Sequence, residues 1–289
     1  MPEPTLTIVH ETTYRYDRPV ERSRHLFRLR PVDDLRQHVV DFSLCMSVGG
    51  VEYEFEDVFG NRAAAAAVDV PFTELSIVTR SRVRVVADVL PDGPRRRLSS
   101  AGLFLPRERQ VLLPYLLPPE LPDDQLREMA DYASEFAERN DFDVLDTLLD
   151  VNATIHRDFA YARGTTTGAT TAYEVFCTRR GVCQDFTTLF LCLARLLGIP
   201  ARYRMGYFHG GGDGGAGAER ATHAWAEAYL ANLGWRGFDP THGCLAQAGH
   251  VRVACGRTAG DATPTSGAIS PGGCREVLNV AVRVDEGEP

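Results

Sequence analysis

The chain has 289 residues, 44% of them hydrophobic and 24% charged, with a formal net charge of −8. That length predicts about two domains, and the balance is that of a soluble globular protein, not of a disordered or collagen-like one. The absence of a run of about 18 apolar residues argues against a transmembrane helix, and the acidity with no basic block argues against nucleic-acid or anionic-membrane partners.

All 31 basic residues are arginine, so no lysine of this chain is available for Schiff-base, P-loop or isopeptide chemistry. Seven cysteines, an odd number, stand in a chain whose opening MPEPTLTIVHETTY has no basic or apolar leader. Both features predict reduced thiols and a cytoplasmic location, not an exported disulfide framework.

In chain order, residues 1–90 read as β. Alternation through Leu6, Ile8, Thr12, Tyr14 and Tyr16, and again around Val83 and Val85, is punctuated by turn signals at Asp17–Pro19, Gly49–Gly50 and Gly60–Asn61. Short strands at that spacing predict an antiparallel sandwich; the run Ala63–Ala67 fits no pattern. Seven prolines crowd residues 91–122, which predicts an irregular linker.

Residues 123–289 then read as a separate core with C-terminal strands. Apolar residues at helical spacing predict helices over 123–139 and 143–156, and Thr171 is placed to cap a short one ending near Thr178. The clearest helix begins at Cys183, carries Phe186, Leu189, Phe190, Leu193 and Leu197, and stops at Gly198 before Pro200. Strands follow at 201–208, 223–230 and 235–239, with a last one through Leu278–Val284. The glycine-rich stretch 210–217 is a candidate mobile lid.

Three residues carry the chemistry. Cys183 starts the apolar helix, where the macrodipole and unpaired N–H groups favour the thiolate; Gly181 would allow the tight turn that presents it. Cys192, in the middle of the same helix, has no such advantage and reads as packing. His223 begins the strand His-Ala-Trp-Ala-Glu-Ala-Tyr, which places His223, Trp225, Glu227 and Tyr229 on one face and three alanines on the other. Asp239 ends the next strand, and a short turn at Asn232–Gly234 brings it back toward His223, to hold the imidazole Nδ1–H. Cys, His and Asp in this order have the logic of thiol acyl transfer. A zinc site drawn from His242, Cys244, His250 and Cys255 lacks the usual ligand spacing, and no C-x-x-C supports a redox role.

The segments Gly181-Val-Cys-Gln-Asp-Phe, Leu196-Leu-Gly-Ile-Pro-Ala-Arg-Tyr, Thr222-His-Ala-Trp-Ala-Glu and Gly234-Trp-Arg-Gly-Phe-Asp-Pro-Thr resemble the bacterial transglutaminase-like superfamily. The opening His10-Glu-Thr-Thr-Tyr-Arg-Tyr with Arg28-Leu-Arg-Pro31 is similar to the β domain that precedes the core in such proteins. The resemblance implies an α+β fold, an antiparallel β-sandwich followed by a papain-like core, with Cys183 as nucleophile, His223 as base and Asp239 as its orienting group. No metal or other cofactor is expected. The resemblance leaves the reaction open, since the superfamily includes transglutaminases, peptidases, amidases and inactive members.

Two departures stand out. Thr187-Thr188 replaces an expected Ala-His, and Gly256-Arg-Thr-Ala-Gly-Asp261 replaces an expected Gly-Arg-Asp-Tyr. The expected activity is hydrolysis of a peptide, protein or other amide or thioester substrate through a thioacyl-enzyme. Backbone N–H of Cys183 would be one oxyanion donor and Gln184 a possible second. The alternatives are transfer of the acyl group to an amine, and a non-catalytic binding role.

Overall fold

The computed structural model describes residues 5–86, 106–210, 222–231 and 233–287. Six antiparallel strands come first: β1 (Thr5–Val20), β2 (Arg22–Phe27), β3 (Gln37–Met46), β4 (Gly50–Glu56), β5 (Arg62–Val68) and β6 (Phe72–Val85). Then come helices α1 (Pro106–Leu112), α2 (Asp123–Arg139) and α3 (Val144–Asp158), the short strand β7 (Ala160–Tyr161), helix α4 (Ala172–Thr178), the short strand β8 (Arg180–Gly181) and helix α5 (Cys183–Leu196). Strands β9 (Ala201–Phe208), β10 (His223–Leu230), β11 (Gly234–Asp239), β12 (Cys244–Leu245), β13 (His250–Gly256), β14 (Thr265–Ser270) and β15 (Glu276–Gly287) complete the chain.

Two four-stranded sheets, ordered β15-β1-β6-β3 and β14-β2-β5-β4, form the sandwich. Tyr14, Tyr16, Leu75 and Ile77 of the first meet Phe27, Ala64, Ala66 and Val68 of the second in one apolar core. The alanine run 63–67 is therefore strand β5. Alanine has little strand preference of its own, and here small side chains fit a strand hemmed between β2 and β4.

The last two strands correct the expected division of the chain. They do not complete the core but close the sandwich: β15 pairs with β1 from Thr5↔Gly287 to Tyr16↔Glu276, and β14 pairs with β2. Alternation identifies a strand but not its partner; here the edges of β1 and β2 supply the unmet backbone groups. Residues 91–105 of the proline-rich stretch lie outside the described residues, and the part after them differs from an irregular linker. Residues 106–115 form α1 and a 3-10 turn, Leu113–Tyr115, because proline is compatible with the first turn of a helix, where its missing N–H has no partner to lose.

In the second half, a five-stranded sheet ordered β12-β11-β10-β9-β13 packs on α5. The alanine face of β10, Ala224, Ala226 and Ala228, lies in the core with Phe186, Leu189, Phe190 and Leu193 of α5. Small side chains there let the helix approach the sheet closely. Helices α2, α3 and α4 cover the rest of α5.

Their ends follow from sequence. Asp143 accepts the Asp146 N–H at 2.9 Å and starts α3, and Thr171 with Glu174 makes a capping box for α4. Gly198, at φ +72°, ends α5 with Gly198 N–H on Arg195 and Ile199 N–H on Ala194, both at 2.9 Å, a Schellman arrangement.

The sandwich and the core share strands. Leu6 and Ile8 of β1, Val83 and Val85 of β6 and Val282 and Val284 of β15 belong to the core around α5, while Tyr14 and Tyr16 of the same β1 face belong to the sandwich. Between them, buried His10 bonds Tyr207 Oη and Thr12 Oγ1 at 2.9 Å each.

Candidate active site

Cys183 is the first residue of α5, and local chemistry fixes that helix start. Val182 is extended, and its N–H donates to Asp185 Oδ2 at 2.8 Å, while Thr166 Oγ1 donates to the same oxygen at 2.7 Å. Asp185 is buried at the helix's positive end, where a carboxylate is favoured. A Cβ on Gly181 would lie 2.7 Å from Asp185 Cβ. Its φ is not in the left-handed region, so glycine is needed there for Asp185 to fit, not for a special turn.

Cys192, on the same helix, is buried beside Met129, and burial pushes its thiol up to about 12. That suits packing and not reaction.

Strands β10 and β11 pair with Ala226 opposite Phe238. Asp239 therefore shares the face of His223 and Trp225, opposite to the alanine face. His223 Nε2 and Asp239 Oδ2 are 2.8 Å apart, which leaves Nδ1 turned away from the carboxylate, and Cys183 is near enough to His223 to raise its pKa. The sequence reading had Nδ1 on the carboxylate; the ring stands the other way round. Burial opposes charge on His223, but its interactions with Asp239 and Cys183 outweigh that and raise its pKa from 6.5 to about 9.

Asp239 is fully buried and takes more than one imidazole. His242 Nδ1 lies 2.7 Å and His250 Nε2 3.0 Å from the same Oδ2, and Oδ1 accepts the Thr241 and His242 N–H groups at 2.9 and 3.2 Å. Burial alone would raise this carboxyl; hydrogen bonds from His223, His242 and His250 hold it far below the usual carboxylate range. Phe208 covers the cluster, its ring centroid 5.5, 4.3 and 4.5 Å from those of His223, His242 and His250.

The ligand atoms of His223, Asp239 and His250 lie within 4.8 Å of one another, a spacing that could suit a cation. The donor chemistry does not fit one. His250 Nδ1 accepts the Gln247 N–H at 3.0 Å, so the ring's proton is on Nε2, and a nitrogen that donates to Asp239 is not a free ligand. Of the four residues considered for zinc, His242 and His250 converge on Asp239, while Cys244 and Cys255 are outside that cluster. Burial and the Asp239 charge push the Cys244 thiol up to about 11.

The departures from the family pattern resolve differently. Thr187 and Thr188 donate to the carbonyls of Cys183 and Gln184, each at 2.8 Å, so both hydroxyls turn back along their own helix. In the second departure, Asp261 accepts the Arg257 and Thr258 N–H groups, and Arg257 O accepts from Arg195 near the last turn of α5. A helix of 14 residues spans about 20 Å, so this segment borders the end of α5 away from Cys183. Residues 211–217 of the expected lid lie outside the described residues.

Sequence reasoning missed Asp185, His242, His250 and Phe208 as neighbours of the site. Only Asp185 had a legible signal, an acid at the third position of a helix.

Residues 6–84 match the family described as bacterial transglutaminase-like N-terminal region, and residues 130–240 match the transglutaminase-like superfamily. An uncharacterized protein of Mycobacterium tuberculosis (strain ATCC 25618 / H37Rv) is 32% identical over 298 residues, 96% of this chain and 91% of its own. One from Mycobacterium leprae (strain TN) is 28% identical over 284 residues, 96% of this chain and 98% of its own. A crystal structure described as a "Putative Cysteine Protease from Cytophaga hutchinsonii" superimposes with a TM-score of 0.78 at 24% identity, covering 100% of this chain and 92% of that one; at that identity the likeness is one of fold. The chain belongs to the transglutaminase-like superfamily.

Proposed function

We propose that the protein is a cysteine-dependent hydrolase of amide or peptide bonds, working through a thioacyl-enzyme on Cys183. One observation carries this reading: a single imidazole, His223, bonds a buried carboxylate and stands near enough to a thiol at a helix N-terminus for that thiol to help raise its pKa. With its pKa raised to about 9, His223 holds a proton at neutral pH.

The Cys183 thiolate attacks the carbonyl carbon and a C–S bond forms. The oxyanion is received by the Cys183 N–H at the head of α5, a contribution of about 3 kcal/mol in comparable sites. His223 gives its proton to the leaving amine as the C–N bond breaks. In the second half, His223 takes a proton from water, the hydroxide adds to the thioester, and the acid leaves as the thiolate–imidazolium pair is restored. Asp239 remains ionised throughout, orienting the ring and stabilising its charged form. All seven cysteines are unpaired, which supports work in a reducing compartment.

The test is alkylation of Cys183 by iodoacetamide across pH, located by peptide mass, in wild type and His223→Ala. The reading expects Cys183 to react fast below the ordinary thiol range and the substitution to slow it. A Cys183 no more reactive than Cys192 would overturn it. Product mass with and without a primary amine distinguishes hydrolysis from acyl transfer.

A further inference from the structure

We propose that His250 is a positioning residue of this site: a neutral donor of fixed tautomer that anchors Asp239, shares its charge with His223, and is itself held in register by the N-terminal sandwich. The inference rests on the reading of Cys183 as the nucleophile and assigns the sandwich a part in the same chemistry.

Three observations carry it. The first is the tautomer. His250 is buried, and the Gln247 N–H points at its Nδ1, so Nε2 must carry the hydrogen that Asp239 Oδ2 receives. An imidazole so bonded cannot turn over without leaving a backbone N–H unmet. Burial disfavours its charged form, and the nearby imidazoles oppose charge as well.

The second is the competition at one oxygen. Oδ2 of Asp239 receives N–H groups from His223, His242 and His250 at 2.8, 2.7 and 3.0 Å. Each added donor draws on the same negative charge, so the share left for His223 depends on the other two. The donors come from three places: His223 opens β10, His242 follows β11, and His250 opens β13.

The third is the bracing of β13. This strand is an edge of the five-stranded sheet, and its outer side is met by two side-chain amides of the sandwich. Gln37 receives the Arg252 N–H at 2.7 Å and donates to Arg252 O at 2.9 Å, while Asn61 receives the Cys255 N–H at 2.7 Å and donates to Cys255 O at 2.8 Å. The two carboxamides act as substitute peptide groups on the open edge. The Val32 N–H also reaches Arg252 O at 2.9 Å, and Asp34 takes the Arg252 guanidinium through two bonds of 2.7 Å. The strand is thus fixed two residues from His250 by the other half of the molecule.

Cys183 faces His223 from α5, and Cys244 lies beside Asp239 on β12. A cavity of about 30 Å³ flanking His250 is bordered by Arg36, Glu227 and Arg252; Glu227 is held by Arg202 and Arg204, and Arg252 by Asp34.

Two substitutions separate the functions of the ring. His250→Asn keeps an acceptor near the Nδ1 position for Gln247 but is too short to reach Asp239. His250→Gln places an amide N–H near the Nε2 position and loses the Gln247 bond. The readouts are the NMR titration of the His223 ring and the pH profile of Cys183 alkylation by iodoacetamide, on folded protein. In His250→Asn the His223 midpoint should rise by about half a pH unit or more, because Asp239 gives it a larger share of charge. Alkylation at pH 7 should fall about tenfold, because Asp239 and His223 lose a fixed position. His250→Gln should restore both toward wild type.

Equal effects of the two substitutions, or none from either, would overturn the inference. Nitrogen NMR of wild type decides it without any variant: His250 must stay in the Nε2–H form from pH 5 to 9, and a protonated or Nδ1–H ring refutes it. If wild-type Cys183 is unreactive or indifferent to His223→Ala, it is the nucleophile reading that fails, and that result is distinct from the others.

Discussion

Replacing Asp239 with Asn removes a buried charge on which three imidazoles converge, and the consequence should depend on pH in a defined way. His223 is raised from 6.5 in the unfolded chain to about 9 in the fold, equivalent to about 3 kcal/mol in favour of the charged ring. Because the folded value lies above the unfolded one, this stabilisation is complete below about pH 6.5 and is lost as pH rises through 9. Asp239 is depressed below its unfolded 3.8, so its own contribution is present above that value and lost as pH falls further. The difference in stability between wild type and Asp239→Asn should therefore be widest between about pH 4 and 6.5. Breaking such a buried ionic network costs about 3–5 kcal/mol. At about 2 °C per kcal/mol for a chain of this length, the melting temperature should fall by about 6–10 °C in that window. By pH 10 the gap should narrow by about 6 °C, since wild-type His223 is then neutral too. Paired thermal melts from pH 6 to 10 measure this. A gap that stays constant over that range would refute the linkage between Asp239 and a charged His223.

Gln37→Leu leaves the N–H and carbonyl of Arg252 and the carbonyl of Val32 without this partner. Arg252 O keeps the Val32 N–H, so two groups go unmet; at about 1–3 kcal/mol for each, urea unfolding should show a loss of at least about 2 kcal/mol. Gly181→Ala puts a methyl 2.7 Å from Asp185 Cβ and should displace that side chain from the Val182 N–H, so Cys183 alkylation slows while overall helicity by circular dichroism is retained. Thr171→Ala removes one half of the capping box on α4 and should cost about 1 kcal/mol in denaturant unfolding, with Cys183 reactivity unchanged.

Much of the core was legible because its signals are local. The apolar stripe of α5, the glycine at its end, the Thr171 cap and the alanine face of β10 are read within a few residues of one another. The approach of His223 and Asp239 was legible for the same reason, since β10 and β11 are joined by a short turn. Which ring nitrogen meets the carboxylate was not, because that depends on where α5 places Cys183. His250 comes to Asp239 from a strand on the far side of β9, and no spacing rule connects them. Strand β5 shows the converse problem: its alanines form a strand because β2 and β4 flank it, a tertiary effect that outweighs intrinsic preference. Strand β15 was visible by alternation, but its partner lies at the other end of the chain.

That last pairing determines the order in which the molecule can be completed. Thr5 stands opposite Gly287 and Phe27 opposite Thr265, so the half that carries Cys183 is an insertion within the sandwich, which is a discontinuous unit. During synthesis at about 5–20 residues per second, the edges of β1 and β2 wait roughly 10–40 s after β6 emerges for the strands that cover them. The helical half, with its more local contacts, is available to fold in that interval. Joining residues near 5 and 287 by a short linker, and opening the chain in the segment after β6, should give a circular permutant in which the sandwich strands β14, β15 and β1–β6 are contiguous and the waiting time disappears.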